Sequence, residues 1–389
     1  MQLGWIDFSR SERNKIIQTL KMLEESTALD ELGIGVVRDG YADILFPGIS
    51  TLQTRAKYFV LLPYLFAMAE RQSFKRSSEI LPWMHRQEDL LVPTLIKNSE
   101  DTTGVIGLRA HKQGKSVKVK SSSIYWNGMR TFEILRDEHL SISNVCNIIY
   151  GKQLRRNSVE IKTEAKSGGT EGFDDETAGN ENMPLFSSIT PDYAIMTEAA
   201  IELTKTEAEY LYQKMTTAVG SRASLLAFML REKCLFPSFQ DINEEILPDD
   251  LRRSVELAKA FAHFISGAHT RYNVIFSKGE DADQTERYRE WQETFDFDGF
   301  HLSDVLSRVN GNLLTNAFLK EFYEVSKAGN DQAVDRLIIQ REKSIKRERA
   351  KLGKPQEYRY DKPVHDYLLN YRYGTAYTIV NDILSGLEG

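Results

Sequence analysis

Two cysteines in 389 residues, Cys146 and Cys234, are too few and too far apart for a disulfide framework. Neither belongs to a CxxC or has a histidine pair beside it, so both read as reduced core thiols. Long apolar runs are missing as well. The longest, from Tyr58 to Ala69, falls well short of the roughly 20 residues that cross a bilayer and is interrupted by Pro63. The amino-terminal MQLGWIDFSRSERN has no basic start and no myristoylation pattern, so a cytoplasmic protein without membrane association is expected. There is no excess of positive charge: 50 Lys and Arg against 56 Asp and Glu give −6, so any binding to nucleic acid needs a local patch.

Catalytic signatures are absent too. GKS at Gly114–Ser116 has Arg109 where a phosphate-binding loop needs glycine, and VKVK where it needs a helix. Glu160–Ile161–Lys162 has the E-x-K spacing of metal-dependent nucleases without an upstream Asp on a strand. His263 and His269, six apart on one expected helix, point about 240° apart and cannot share a metal. His365–Asp366 lacks further ligands, and there is no G-x-S-x-G elbow and no internal repeat. No catalytic residue, metal site or cofactor is assigned.

What is present is organised around FPGISTLQTRAKYFVLLPYLFAM, Phe46–Met68. Pro47–Gly48 breaks the chain, Ser50 or Thr51 is placed to cap the helix that follows, and an all-round apolar helix with a kink at Pro63 is expected. Upstream, Ser9 caps a helix carrying Ile16, Ile17, Leu20 and Leu23 at helical spacing, and glycine-rich Leu29–Leu45 reads as loops and short strands. Pro82 and Pro93 suggest two short helices, near 77–84 and 85–97.

A chain of this length exceeds a usual single core, so two domains are expected. The reading is mostly α with a minor β-hairpin. It places an α+β domain at 1–158, a polar, Gly-rich linker at 159–188, and a helical domain at 189–389. Within the first, residues 104–154 are winged-helix-like in outline: a hairpin turning at Gly114, with Val117 and Val119 on one face of VKVK, then two amphipathic helices.

Two candidate sites emerge. Between Asp101 and Glu133 six basic residues, Arg109, Lys112, Lys115, Lys118, Lys120 and Arg130, occur with no acid. With Tyr125 and Trp126 nearby, this mixture suits phosphate contact plus base stacking, although a solvated face would read the same way. Ser50, Thr51, Thr54 and Arg55 could line an anion site at a helix amino terminus. Otherwise Arg55 and Lys57 make internal pairs, for instance with Asp43 or Glu70. A second basic run, ten basic against four acidic residues between Arg336 and Lys362, is mixed in sign and reads as an exposed helix or partner-binding arm.

WIDFS at Trp5–Ser9, Asp30–Phe59, SSSIYWNGMR at Ser121–Arg130, GAHTRYN at Gly267–Asn273 and the terminal YRYGTAYTIVNDI together resemble an uncharacterised bacterial family of unknown function. The resemblance implies recurring positions at Phe46, Pro47, Gly48, Ser50, Thr51, Gln53, Thr54, Arg55, Tyr58, Tyr125, Trp126, Tyr272, Asn273 and Arg372. It also implies association with anti-phage defence clusters that encode helicases, nucleases or methyltransferases. The expectation is a non-enzymatic subunit of a defence or DNA-processing complex, binding nucleic acid, DNA before RNA, through 104–154 and protein partners such as a helicase or nuclease through its helical half. The competing readings are a phosphodiesterase or nuclease using Arg55 and Asp43, and a structural scaffold.

Overall fold

The computed structural model describes residues 30–115, 117–165, 184–354 and 357–389, the side chains of 157–165 excepted. These residues are mostly helical; among them there is no sheet, and one isolated antiparallel bridge joins Leu135 to Phe186. The helix expected from Ser9 to residue 26 lies outside the described residues, as does most of the expected linker. Among the described residues two compact units form, each from separate stretches: those up to Ile44 with Asn243–Tyr371, and those of Leu45–Ile242 with Arg372–Gly389.

In the first unit α1 is Gly35–Leu45, in a stretch where loops and strands were expected. Val37, Tyr41, Ala42 and Leu45 recur at helical spacing and are buried. The Asp30 carboxylate starts the turn by accepting from the Leu32 and Gly35 amides at 3.1 and 2.7 Å. Gly40 is no breaker here: it lies against Val309, whose Cγ1 would be 2.8 Å from a Cβ. The remaining helices come from the second half of the chain.

The longest helix of this unit runs over Asp249–Phe276 and buries Leu251, Val255, Ala258, Phe261, Ile265 and Tyr272 along one face. Burying each of the Leu, Val, Phe and Ile side chains contributes about 1.5–3 kcal/mol. Asp249 and Asp250 in its first turn suit the positive end of the helix dipole. Its neighbour Ala282–Thr294 packs so closely that a Cβ on Gly267 would lie 2.2 Å from the Trp291 ring. The unit is completed by helices at Leu302–Ser307, Leu313–Lys327 and Asp331–Lys346.

In the second unit α2, Tyr58–Glu70, is the apolar helix expected from the sequence, with Pro63 inside it and Phe59, Leu61, Leu62, Leu65 and Phe66 buried. It begins later than expected. The Gln53 side chain stabilises the preceding turn by accepting from the Ser50 amide and donating to the Gly48 carbonyl. Ser50 and Thr51 therefore do not cap it; Lys57 occupies that position. Next, α3 runs unbroken over Ile80–Asn98, because Pro82 falls in its first turn, where the missing amide is harmless, and Pro93 on its exposed side.

The winged-helix outline and the hairpin do not form. Leu108–Lys112 is a short helix, α4, and residues 117–120 have no strand partner among the described residues. The amides of Gly114 and Lys115 fold back onto the carbonyls of His111 and Ala110. Val117 packs on Gly107 and leaves Val119 half exposed, so the VKVK alternation never becomes a sheet face. The two following helices are present as α5, Ser121–Thr131, and α6, Ile142–Ala165. At the end of the expected linker Phe186 is buried, stacked on Phe66 at 5.1 Å. The unit closes with α7 to α9, Ile195–Glu198, Lys205–Thr217 and Leu225–Arg231, and the carboxy-terminal Tyr373–Glu388.

Candidate nucleic-acid interface

The acid-free basic stretch is positioned by a left-handed turn. Gly107 has φ +94°, and a Cβ there would meet Val117 Cγ2 at 2.7 Å, so this position calls for glycine on both counts. From it α4 projects Arg109, His111 and Lys112, and the loop beyond carries Lys115 and Lys118, all exposed. None of Arg109, Lys112, Lys115 or Lys118 makes an ion pair with a described residue; Lys115 Nζ contacts only the Gln113 side chain, at 3.4 Å. Lys120 differs, because its Nζ is held by both oxygens of Asp89 at 2.6 and 2.7 Å. Arg130 is also engaged, donating to the Glu138 carbonyl.

The two aromatic candidates are structural. Tyr125 is fully buried, its ring 5.2 and 4.9 Å from those of Tyr58 and Phe59. Its hydroxyl accepts from the Thr54 and Arg55 amides and donates to the Arg55 carbonyl. Burial pushes that phenol up to about 12, the amide donors opposing. Trp126 donates from Nε1 to the Leu140 carbonyl and packs on Phe66 and Phe186. Neither ring offers a face on which a base could stack. Glu88 orders the helix that carries them. It accepts from the Ser122 amide at 3.1 Å, and its buried second oxygen has no hydrogen-bond partner among the described residues. Burial raises its pKa, the Ser122 bonds offsetting part of the rise.

The four anion-site candidates do not converge on one point. Thr54 Oγ1 donates to the Gly104 carbonyl at 2.7 Å, and Arg55 Nε lies 2.9 and 3.0 Å from the two oxygens of Asp382. Asp382 also accepts from the Ala56 amide. Arg55 and Thr54 border an open cleft of about 430 Å³ shared with Asp101, Thr375 and Asn381, in which the guanidinium is already neutralised. Lys57 makes a buried pair with Glu207 at 2.6 Å. The partners Asp382 and Glu207 were missed in the sequence. Asp382 had a signal: it is a lone acid within YTIVNDIL, an apolar stretch where a carboxylate needs a partner.

The remaining chemical candidates scatter. His263 is exposed while His269 is buried and stacks on His365 at 4.9 Å. No group of three or more His, Cys, Asp or Glu side chains among the described residues is placed to hold a metal. No helix among them is long and apolar enough to cross a membrane.

Residues 1–162 match a family of unknown function, DUF6361, a span that includes both candidate stretches. No curated protein and no solved structure matches the chain.

Proposed function

We propose that this protein is a non-enzymatic, nucleic-acid-binding subunit of a bacterial defence or DNA-processing complex, with Arg109, Lys112, Lys115 and Lys118 contacting the phosphate backbone. The observation that carries the reading is their state: four exposed cations within ten residues, on one short helix and its following loop, without a carboxylate partner among the described residues. The other basic residues of the stretch are already engaged. The defence context rests on the sequence resemblance alone.

With Tyr125 and Trp126 in the core, contact is electrostatic and positions the backbone without reading bases. Binding should therefore be insensitive to sequence. Fluorescence anisotropy of the purified chain with labelled duplex and single-stranded DNA at low salt tests this. Replacing Arg109, Lys112, Lys115 and Lys118 together by Gln should weaken binding at least tenfold with the fold intact. Binding that survives the replacement would place contact elsewhere, and no binding by the wild type would refute the reading for the isolated chain.

A further inference from the structure

The second basic run, Arg336–Lys362, was mixed in sign as sequence, and folding sorts it. Within Asp331–Lys346 every acid is engaged: Asp335 with Arg271 at 2.6 Å, Asp331 with Gln292 at 2.9 Å, and Glu342 buried beneath Tyr272 and the amides of Lys351 and Leu352. The inward cations are committed too. Arg341 donates to the carbonyls of Leu32 and Gly33, and Lys346 and Lys351 are held by Glu31.

What remains faces outward. Arg336, Gln340 and Lys343 are exposed and recur at spacings of four and three, one stripe along the helix opposite its buried face, and Arg347, also exposed, is the residue that ends the helix. Arg349 is exposed just beyond, and none of the four cations makes an ion pair with a described residue. From Arg336 to Arg347 the stripe extends about 16 Å, enough to follow several phosphates of one strand. The only exposed carboxylate between Lys343 and Arg349, that of Glu348, is drawn off by Lys354 at 3.4 Å.

Arg347 also has an unusual backbone conformation. It closes the helix at φ +51°, ψ −117°, where glycine is free and arginine is strained.

We infer that Arg336, Lys343, Arg347 and Arg349 form a second nucleic-acid backbone site, in the first unit, separate from the α4 segment. The inference rests on the nucleic-acid reading above and adds a second binding surface to it. The test measures affinity for a short DNA duplex across a salt series, comparing wild type, the α4-segment variant, and Arg336→Gln/Lys343→Gln/Arg347→Gly/Arg349→Gln. Each lost phosphate contact should reduce the slope of log K against log salt by about 0.9, so the second variant should lose up to about 3.6 in slope magnitude.

Arg347→Gly relieves the strained backbone, so thermal stability should hold. Should the quadruple variant fail to fold, single Lys343→Glu at an exposed position gives the same readout, with a weaker affinity expected. An Arg336→Lys/Arg349→Lys variant should bind as wild type, because charge suffices. Unchanged affinity and slope in the quadruple variant, with binding lost in the α4-segment variant, would overturn this inference and leave the first reading standing. No binding by wild type would overturn both.

Discussion

Arg55 and Lys57 pose the central residue-scale question, because a guanidinium and an ammonium enter a stretch that is otherwise becoming apolar. Internal pairing was one of two readings open in the sequence, and the structure supplies partners from far along the chain, Asp382 and Glu207. Several polar positions that the family resemblance pointed to have the same explanation. Gln53 closes the turn at Gly48, Tyr58 accepts from the Ile106 amide, Arg372 donates to the Ile49 carbonyl, and Asn273 holds Val364.

Breaking a buried pair one-sidedly strands a charge, so Lys57→Met should cost about 3–5 kcal/mol in chemical denaturation. Adding Glu207→Gln, whose amide oxygen keeps an acceptor for the Thr204 amide while its NH2 group turns toward the Tyr193 oxygen, should recover a substantial part. Tyr125→Phe should cost about 1–3 kcal/mol and leave DNA affinity unchanged, since its hydroxyl organises Thr54 and Arg55 and its ring is inaccessible. A large affinity loss without a stability change would contradict that assignment.

The Glu31 cluster makes a pH prediction. Burial pushes this carboxyl up, but hydrogen bonds from His365 and Lys346, with the charges of Lys346 and Lys351, outweigh burial and bring it from 4.5 to about 2. The folded value is the lower one, so its stabilisation is complete above about 4.5 and is lost as pH falls toward 2, at most about 3 kcal/mol. Burial takes His269, faced by His365, Glu31 and Arg38, from 6.5 to about 3. Its neutral form is the folded one, so stability also declines as pH drops below about 6.5. Urea denaturation from pH 7 to 3 should show both losses, and Glu31→Gln should remove the more acidic component. A flat profile would contradict the prediction.

At the scale of elements, legibility followed period and length. The long amphipathic or apolar helices Tyr58–Glu70 and Asp249–Phe276 could be read because periodicity and burial agree. Glycine and proline misled in proportion to how their local meaning depends on neighbours. Gly35 and Gly40 suggested loops, yet Gly40 permits close approach to Val309. Pro82 suggested a helix end but occupies a first turn. The VKVK alternation suggested a strand, which needs a partner that short sequence patterns do not supply. Gly107→Ala should lower the melting temperature by several degrees, through left-handed strain and the clash with Val117, and should weaken DNA binding by displacing the cationic loop. Gly267→Ala should destabilise by at least about 1–3 kcal/mol, because Trp291 leaves no room for the methyl group.

At the scale of the whole molecule, a net charge of −6 conceals a sorted surface. Composition could say only that a nucleic-acid site must be local, and the sequence located the α4 segment as a charge run. Which members of a charge run are free depends on partners distant in sequence, such as Asp89 for Lys120 and Glu31 for Lys346, so that division could not be read in advance.

The most direct test of the central claim is lysine acetylation footprinting by mass spectrometry, with and without saturating DNA. Lys112, Lys115 and Lys118 should react readily in the free protein and become protected several-fold with DNA present, while buried Lys57 should stay unreactive in both states. Unchanged reactivity of those three lysines at saturating DNA would contradict the account.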